Sequence, residues 1–212
     1  MSTGSELSDR PQVAVLMCVH RGADPAQFDE SLASMRAQTH RALRLFVYCD
    51  GPLRAEHEQA LARHLHTDGG VDRIVRGERP AGLPTGLNAL IDLALQDPGI
   101  EYLARMDADD ISLPERIARQ LGYLSEHPEV SIAGTWCIEF SEPNVPLFHK
   151  RLPVEAAEVP RSMLFRSALA HPTVMFRRGV FERGHRYDPR LLVMQDYELW
   201  SRLIVAGELI SN

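Results

Sequence analysis

At 212 residues, 44% hydrophobic and 25% charged, the chain has the composition of one ordinary globular domain with room for a substantial core. A net charge of −6 gives no support for a nucleic-acid partner, which favours basic faces, and no apolar run approaches the ~20 residues that span a bilayer. The polar opening, residues 1–11, carries no signal-peptide core and reads as a disordered lead. The expected setting is cytoplasmic. There Cys18, Cys49 and Cys137, which lack metal-ligand spacing, stay reduced and behave as small hydrophobes. A Cys18–Cys49 bridge between adjacent strands is the less favoured alternative.

Residues 13–19 are a continuous apolar run too short for a helix and predict a fully buried strand. Phe28, Leu32 and Met35 recur at helical spacing and predict a helix over 25–38. A second buried strand over 43–49 ends in Asp50-Gly51, a turn signal. Residues 53–66 read as a helix with a polar outer face, closed by Thr67-Asp68-Gly69-Gly70, and 71–76 as a third strand. Leu83, Leu87, Leu90, Ile91, Ala94 and Leu95 form a helical stripe, which gives Leu87 a core role. Residues 102–106 are a further buried strand. Ser112 and Glu115 have capping-box spacing, so a helix is expected over 113–126, stopped by His127-Pro128. With a strand over 130–135, the alternation predicts a mainly parallel sheet covered on both faces.

The texture changes after residue 136. Residues 136–159 are rich in proline and have no clean period, which suits short antiparallel strands. A short helix over 162–169, a strand over 171–178 and a last helix opening at Gln195 follow. Residues 161–190 hold seven arginines against Glu182 and Asp188, a local charge of seven minus two, or +5; the remainder sums to −11.

The most informative stretch follows the strand over 102–106. Asp107, Asp109 and Asp110 stand at its carboxyl end, just before a helix, where open α/β sheets bind ligands. Clustered carboxylates repel one another unless a cation joins them. A hard divalent ion such as Mg²⁺ or Mn²⁺ takes oxygen ligands and also neutralises a diphosphate. The bland alternative is a solvated acidic turn with Asp110 or Ser112 as a helix cap.

Tyr-Leu-Ala-Arg-Met-Asp-Ala-Asp-Asp-Ile-Ser-Leu-Pro-Glu-Arg, residues 102–116, closely resembles the D-x-D region of family 2 glycosyltransferases of the bacterial polysaccharide-biosynthesis type. The resemblance implies an α/β, GT-A-like (Rossmann-like) fold: a mostly parallel sheet flanked by helices, with a smaller mixed part on the acceptor side. One domain would span 1–212, with a nucleotide-sugar-binding half over 12–135 and an acceptor-binding half over 136–212. The implied reaction is inverting transfer from a nucleotide-diphosphate sugar, most simply a UDP-sugar, to a hydroxyl of a saccharide or lipid-linked saccharide, with Mg²⁺ or Mn²⁺. Asp109 would be a metal ligand, and Asp107 would touch the ribose or assist the metal. Asp50 would contact the base, and His20 would lie in the loop against the nucleotide.

The run Gln195-Asp196-Tyr197-Glu198-Leu199-Trp200 resembles the family segment that carries the general base, which makes Asp196 that base. Its plain role is a first-turn acid favoured by the helix dipole. Departures from the family pattern fall at Cys18, His20 and Arg21, at Cys49, at Leu87 and at Gln195. Relatives usually continue beyond the position of Asn212, so the resemblance implies a shortened acceptor part. Rivals are a nucleotidyltransferase, disfavoured because no glycine-rich cradle follows Val19, an aspartyl phosphohydrolase, and a nucleotide-binding domain without turnover. The arginine-rich stretch suits either an anionic acceptor, a membrane surface, or pairing with the acidic first half.

Overall fold

The computed structural model describes residues 11–212 apart from 66, 68, 143 and 144. The disordered lead expected over 1–11 therefore lies outside the described residues up to residue 10, and so do Asp68 of the turn expected after the second helix and that helix's expected last residue.

Four strand–helix steps build the first part: β1 (Gln12–His20), α1 (Pro25–Arg36), β2 (Leu43–Asp50), α2 (Ala55–His64), β3 (Val71–Arg76), α3 (Leu83–Leu95), β4 (Ile100–Asp107) and α4 (Arg116–Glu126). β5 (Val130–Ala133) follows, then β6 (Cys137–Glu142), β7 (Val145–Lys150), α5 (Val159–Met163), β8 (Met175–Arg177), α6 (Arg178–Glu182), α7 (Gln195–Val205) and β9 (Leu209–Ser211). Seven strands form one sheet in the order β3-β2-β1-β4-β8-β5-β9. Pairing is parallel from β3 through β4; β8 runs antiparallel to both β4 and β5, and β9 is parallel to β5. β6 and β7 form a separate antiparallel hairpin, the irregular strand pair expected after residue 136.

Two apolar layers sandwich the sheet, as a sheet buried on both faces requires. On one side Leu87, Leu90 and Ile91 of α3 pack with Phe176, Phe181, Trp200 and Leu203. On the other, Phe28, Leu32 and Met35 of α1 pack with Leu61 of α2 and Ile117, Leu121 and Leu124 of α4. Each fully buried Leu, Phe or Met contributes about 1.5–3 kcal/mol. Cys18 packs against the first layer and Cys49 lies in the second, so the two thiols face opposite sides of the sheet and stay free.

Three local expectations are corrected. The capping box at Ser112 and Glu115 does not form. The Ser112 hydroxyl accepts from Gln38 Nε2, Glu115 pairs with Arg119, and α4 starts only at Arg116. The short helix expected over 162–169 lies earlier, at Val159–Met163. The strand expected over 171–178 is broken into a 3-10 turn (His171–Thr173), β8 and the start of α6. Pro172 gives the reason for the last, since it supplies no N–H for a ladder.

Candidate active site

The parallel registers bring three strand ends to one edge of the sheet. His20 of β1 lies opposite Asp50 of β2, and Cys18 of β1 lies opposite Asp107 of β4. His20, Asp50 and Asp107 thus meet at the carboxyl edge of the central strands, where open α/β sheets take ligands. His20 is exposed, and its Nδ1 accepts the Gly22 N–H at 2.9 Å, which orients the ring within its own loop. Asp50 accepts the N–H of Ala81 at 2.7 Å through Oδ1 and that of Gly82 at 3.1 Å through Oδ2. Gly82 sits at φ 87°, a left-handed conformation that glycine adopts freely. Asp50 therefore pins the loop that opens α3 beside the strand end.

Asp107 has a buried partner that the sequence reading did not single out. Arg105 precedes it by two residues in β4, so both side chains leave the same face of the strand. The Arg105 side chain is 1% exposed and donates Nη2 to Asp107 Oδ1 and Nη1 to the Met106 carbonyl, while its Nε has no partner among the described residues. A guanidinium without water requires a counter-charge, and Asp107 supplies it. The other groups nearby are held neutral. Burial pushes the Cys18 thiol up to about 12, although Arg105 opposes the rise. Burial, helped by Arg105, holds the His171 ring well below its usual value. Burial also raises the Tyr187 phenol, against Arg105 and with the charges of Asp196 and Asp107 adding to the rise. His171 Nε2 and Tyr187 Oη are 2.9 Å apart.

The acid loop is supported from α1. Ser31 Oγ donates to the Asp107 carbonyl at 2.8 Å, and Ser34 Oγ accepts the Ser112 N–H at 3.0 Å. Gln38 Nε2 donates to the Leu113 carbonyl at 2.9 Å and Oε1 accepts the Ile117 N–H at 3.2 Å. All three side chains are buried. Asp109 is exposed at the tip of the loop. Burial, with Asp107 and Asp109 adding to it, raises the Asp110 carboxyl to about 6 against the pull of Arg105 and Arg116. Among the described residues no group of three His, Cys, Asp or Glu side chains is gathered to hold a metal unaided. The acids fit instead a hard divalent cation held by one or two carboxylates, with a diphosphate completing the shell. The mutual repulsion visible at Asp110 is what such a cation relieves.

Asp196 is the second residue of α7, in the first turn, and is half-buried. Met194 before it adopts φ 61°, left-handed for a non-glycine residue, a conformation costing on the order of 1 kcal/mol. Trp200, fully buried, anchors the helix against His171 and Phe176 with ring centroids at 5.9 and 5.6 Å. Glu198 is tied to Arg202 Nε at 2.7 Å. Trp200 of α7 and Tyr187 both pack on the His171 ring, which sets α7 beside the Tyr187 phenol. Asn88 of α3 fixes Tyr187 there, donating to its carbonyl at 2.8 Å and accepting its N–H at 3.0 Å. An arginine inside a buried strand, two residues before an aspartate, was the signal for Arg105. Tyr187, His171 and the clamp by Asn88 carried no such signal.

Residues 14–184 match the family described as Glycosyl transferase family 2. The chain is 31% identical over 199 residues to the amylovoran biosynthesis glycosyltransferase AmsE of Erwinia amylovora, covering 94% of this chain and 72% of that protein. It is 26% identical over 193 residues to the O-antigen biosynthesis glycosyltransferase WbnJ of Escherichia coli, covering 91% and 71%. Among solved structures, S. aureus TarS 1–349 in complex with UDP superposes with a TM-score of 0.73 at 15% identity, covering 94% of this chain and 57% of that one. The mannosyltransferase PcManGT of Pyrobaculum calidifontis, in complex with GDP-Man and Mn²⁺, gives 0.69 at 16% identity, covering 97% and 55%. This chain thus spans little more than half the length of those two structures. Their likeness is one of fold, that of the GT-A glycosyltransferases. The match over 14–184, joined to a relative above 30% identity along nearly the whole chain, makes this protein a member of family 2 of the glycosyltransferases.

Proposed function

We propose that this chain transfers a sugar, with inversion, from a UDP-sugar to a hydroxyl of a saccharide or lipid-linked saccharide in cell-surface polysaccharide synthesis. The carrying observation is geometric: Asp107 ends β4 at the carboxyl edge shared with Asp50, and α7, which bears Asp196, packs through Trp200 on His171, whose ring meets the Tyr187 phenol. Asp107, through a divalent cation, suits the donor diphosphate, and Asp196 suits an incoming hydroxyl. The names of AmsE and WbnJ support a polysaccharide product, and the UDP held by TarS supports the nucleotide. The Mn²⁺ held by PcManGT supports a divalent cation.

In this reading residues 12–135 hold the donor and 136–212 shape the acceptor side. Asp109, with Asp107 assisting or touching the ribose, holds Mg²⁺ or Mn²⁺, which when bound supplies Lewis-acid stabilisation to the leaving diphosphate. Asp50 holds the loop before α3 against the base, and His20 borders it. Asp196 accepts the acceptor hydroxyl proton as that oxygen bonds to the anomeric carbon and the bond to the diphosphate breaks. Glu198, paired with Arg202, is not available to replace it. No described helix is long and apolar enough to cross a membrane, and we place the reaction on the cytoplasmic side.

A panel of nucleotide-sugars with Mn²⁺ or Mg²⁺ and hydroxyl acceptors tests this reading. Transfer with release of UDP is expected. Release of pyrophosphate would favour nucleotidyl transfer, and binding without turnover a domain that only holds nucleotide. In the active assay Asp196→Asn should lower turnover by about 10²–10⁴-fold, the range for a lost general base, with UDP affinity unchanged. Full turnover in that variant would remove Asp196 from the role.

A further inference from the structure

The arginines of 161–190 separate into two groups in the fold. Arg177 donates to the carbonyl of Val130, and Arg178 to those of Leu95, Asp97 and Ile100. Arg183 pairs with Glu208, Arg186 with Asp92 and Arg190 with Asp188. These five are occupied in holding the chain together. Arg161 and Arg166 are exposed and have no ion-pair partner among the described residues.

Between those two arginines stand Leu164 and Phe165, 76% and 84% exposed. They form the turn that ends α5, closed by the Phe165 and Arg166 N–H groups on the Ser162 carbonyl. Other exposed apolar groups lack this setting. Leu192, Val193 and Met194 follow Arg190, which Asp188 holds. Leu147 and Phe148 of the β6–β7 hairpin precede Lys150, which faces Glu139, and Arg151, which lies over Trp136. Glu155 and Glu158 lie at the opposite end of α5 from the turn. The turn is rigidly mounted: Met163 is buried, and its carbonyl accepts from Tyr197, the residue next to Asp196.

We propose that the turn over residues 161–166 is a docking tip for an anionic lipid surface. Arg161 and Arg166 meet the headgroups while Leu164 and Phe165 enter the interface. The occupant follows from chemistry: two cations without an ion-pair partner among the described residues, bracketing two solvent-facing apolar side chains, match negative headgroups over an acyl layer. A pocketed protein partner would instead call for a larger patch with its charges at the rim. The tip's tie to α7 would bring the acid at 196 to acceptors held at that surface. This deepens the reading of Asp196 above and rests on it only for that last consequence.

Co-sedimentation of the full chain with vesicles tests the tip. Binding is expected to phosphatidylcholine vesicles containing anionic phosphatidylglycerol and to be much weaker with phosphatidylcholine alone. Arg161→Gln and Arg166→Gln should each weaken anionic-vesicle binding by about fivefold and flatten its salt dependence. Leu164→Ser with Phe165→Ser should weaken it by tenfold or more while leaving the salt dependence in place. These four side chains are at the surface, so the variants should melt with the parent and bind UDP as it does. That separates failure of the tip from failure of the donor site. Displacement of the parent from vesicles by millimolar inorganic pyrophosphate would assign the arginines to a soluble phosphate ligand and overturn the proposal. Equal binding by parent and both sets of variants, or equal partitioning to neutral and anionic vesicles, would do the same. Retention of a protein partner by the parent with no vesicle binding would replace the lipid surface by a protein.

Discussion

Single residues in this site answer to two different demands, and neighbouring aspartates separate them. Asp107 neutralises the buried Arg105, whereas Asp109 is exposed and has no ion-pair partner among the described residues. Asp107→Asn should therefore destabilise the fold by about 2–3 kcal/mol, less than a fully buried pair because its side chain is 34% exposed. Asp109→Asn should melt with the parent yet weaken Mn²⁺-dependent UDP binding. Thermal unfolding beside calorimetry checks both; equal melting of the two variants would dissolve the distinction. His171 gives a pH signature. Its ring is kept neutral in the fold by burial and by Arg105, while in the unfolded chain it protonates near pH 6.5. The unfolded state thus takes up a proton that the folded state refuses. The stability linked to this group is complete above pH 6.5 and is lost as pH falls, by about 1.4 kcal/mol per unit. His171→Gln should flatten urea-unfolding stability between pH 6.5 and 5 by that slope, and an unchanged slope would mean that the ring titrates as an exposed one.

At the scale of elements, loops are placed by side chains that local patterns do not reveal. Ser112 and Glu115 have the spacing of a capping box, but the buried Ser34 and Gln38 compete for Ser112 and delay α4 to Arg116. Phe28, Leu32 and Met35 disclosed α1 by period, whereas Ser31, Ser34 and Gln38 beside them looked like ordinary surface. Their burial arises only because the acid loop lies across them. Asp50 shows the same doubling. A turn residue by sequence, it holds both N–H groups at the mouth of α3. Asp50→Ala should lower stability by about 2 kcal/mol, for two charge-assisted hydrogen bonds lost in a half-buried place, and should weaken uridine binding as the loop loosens. Unfolding curves and UDP affinity measured together check this; a variant as stable as its parent would mean that the loop holds itself.

Over the whole molecule, the acidic first part and the basic stretch that follows are bound into one sheet. Arg186 reaches Asp92 of α3, Arg177 and Arg178 hold carbonyls near β5 and β4, and β8 pairs with β4. The expected pairing with the acidic half is met at Arg186; Arg183 and Arg190 pair within the second part, and Arg161 and Arg166 have no ion-pair partner among the described residues. A ligand at the carboxyl edge should stabilise this single unit. UDP with Mn²⁺ at a hundredfold excess over its dissociation constant should add about 2.7 kcal/mol, a melting shift on the order of 5–10 °C for a chain of this size. Chelation by EDTA should remove most of it, and an equal shift with EDTA present would place the cation outside the donor site.

The strands and helices through residue 133, the parallel alternation and the acids at the end of β4 were legible in the sequence. They depend on short-range periods of two and 3.6 and on residues adjacent along the chain. Family resemblance added proposed roles for Asp50 and Asp196. The insertion of β8 between β4 and β5, the neutral cluster of Cys18, His171 and Tyr187 around Arg105, and the sorting of seven arginines into five occupied and two without a partner among the described residues were decided by tertiary structure alone. Each depends on which distant groups share a water-free space. A side chain's charge state and partners follow from that space, and residue order along the chain does not specify it.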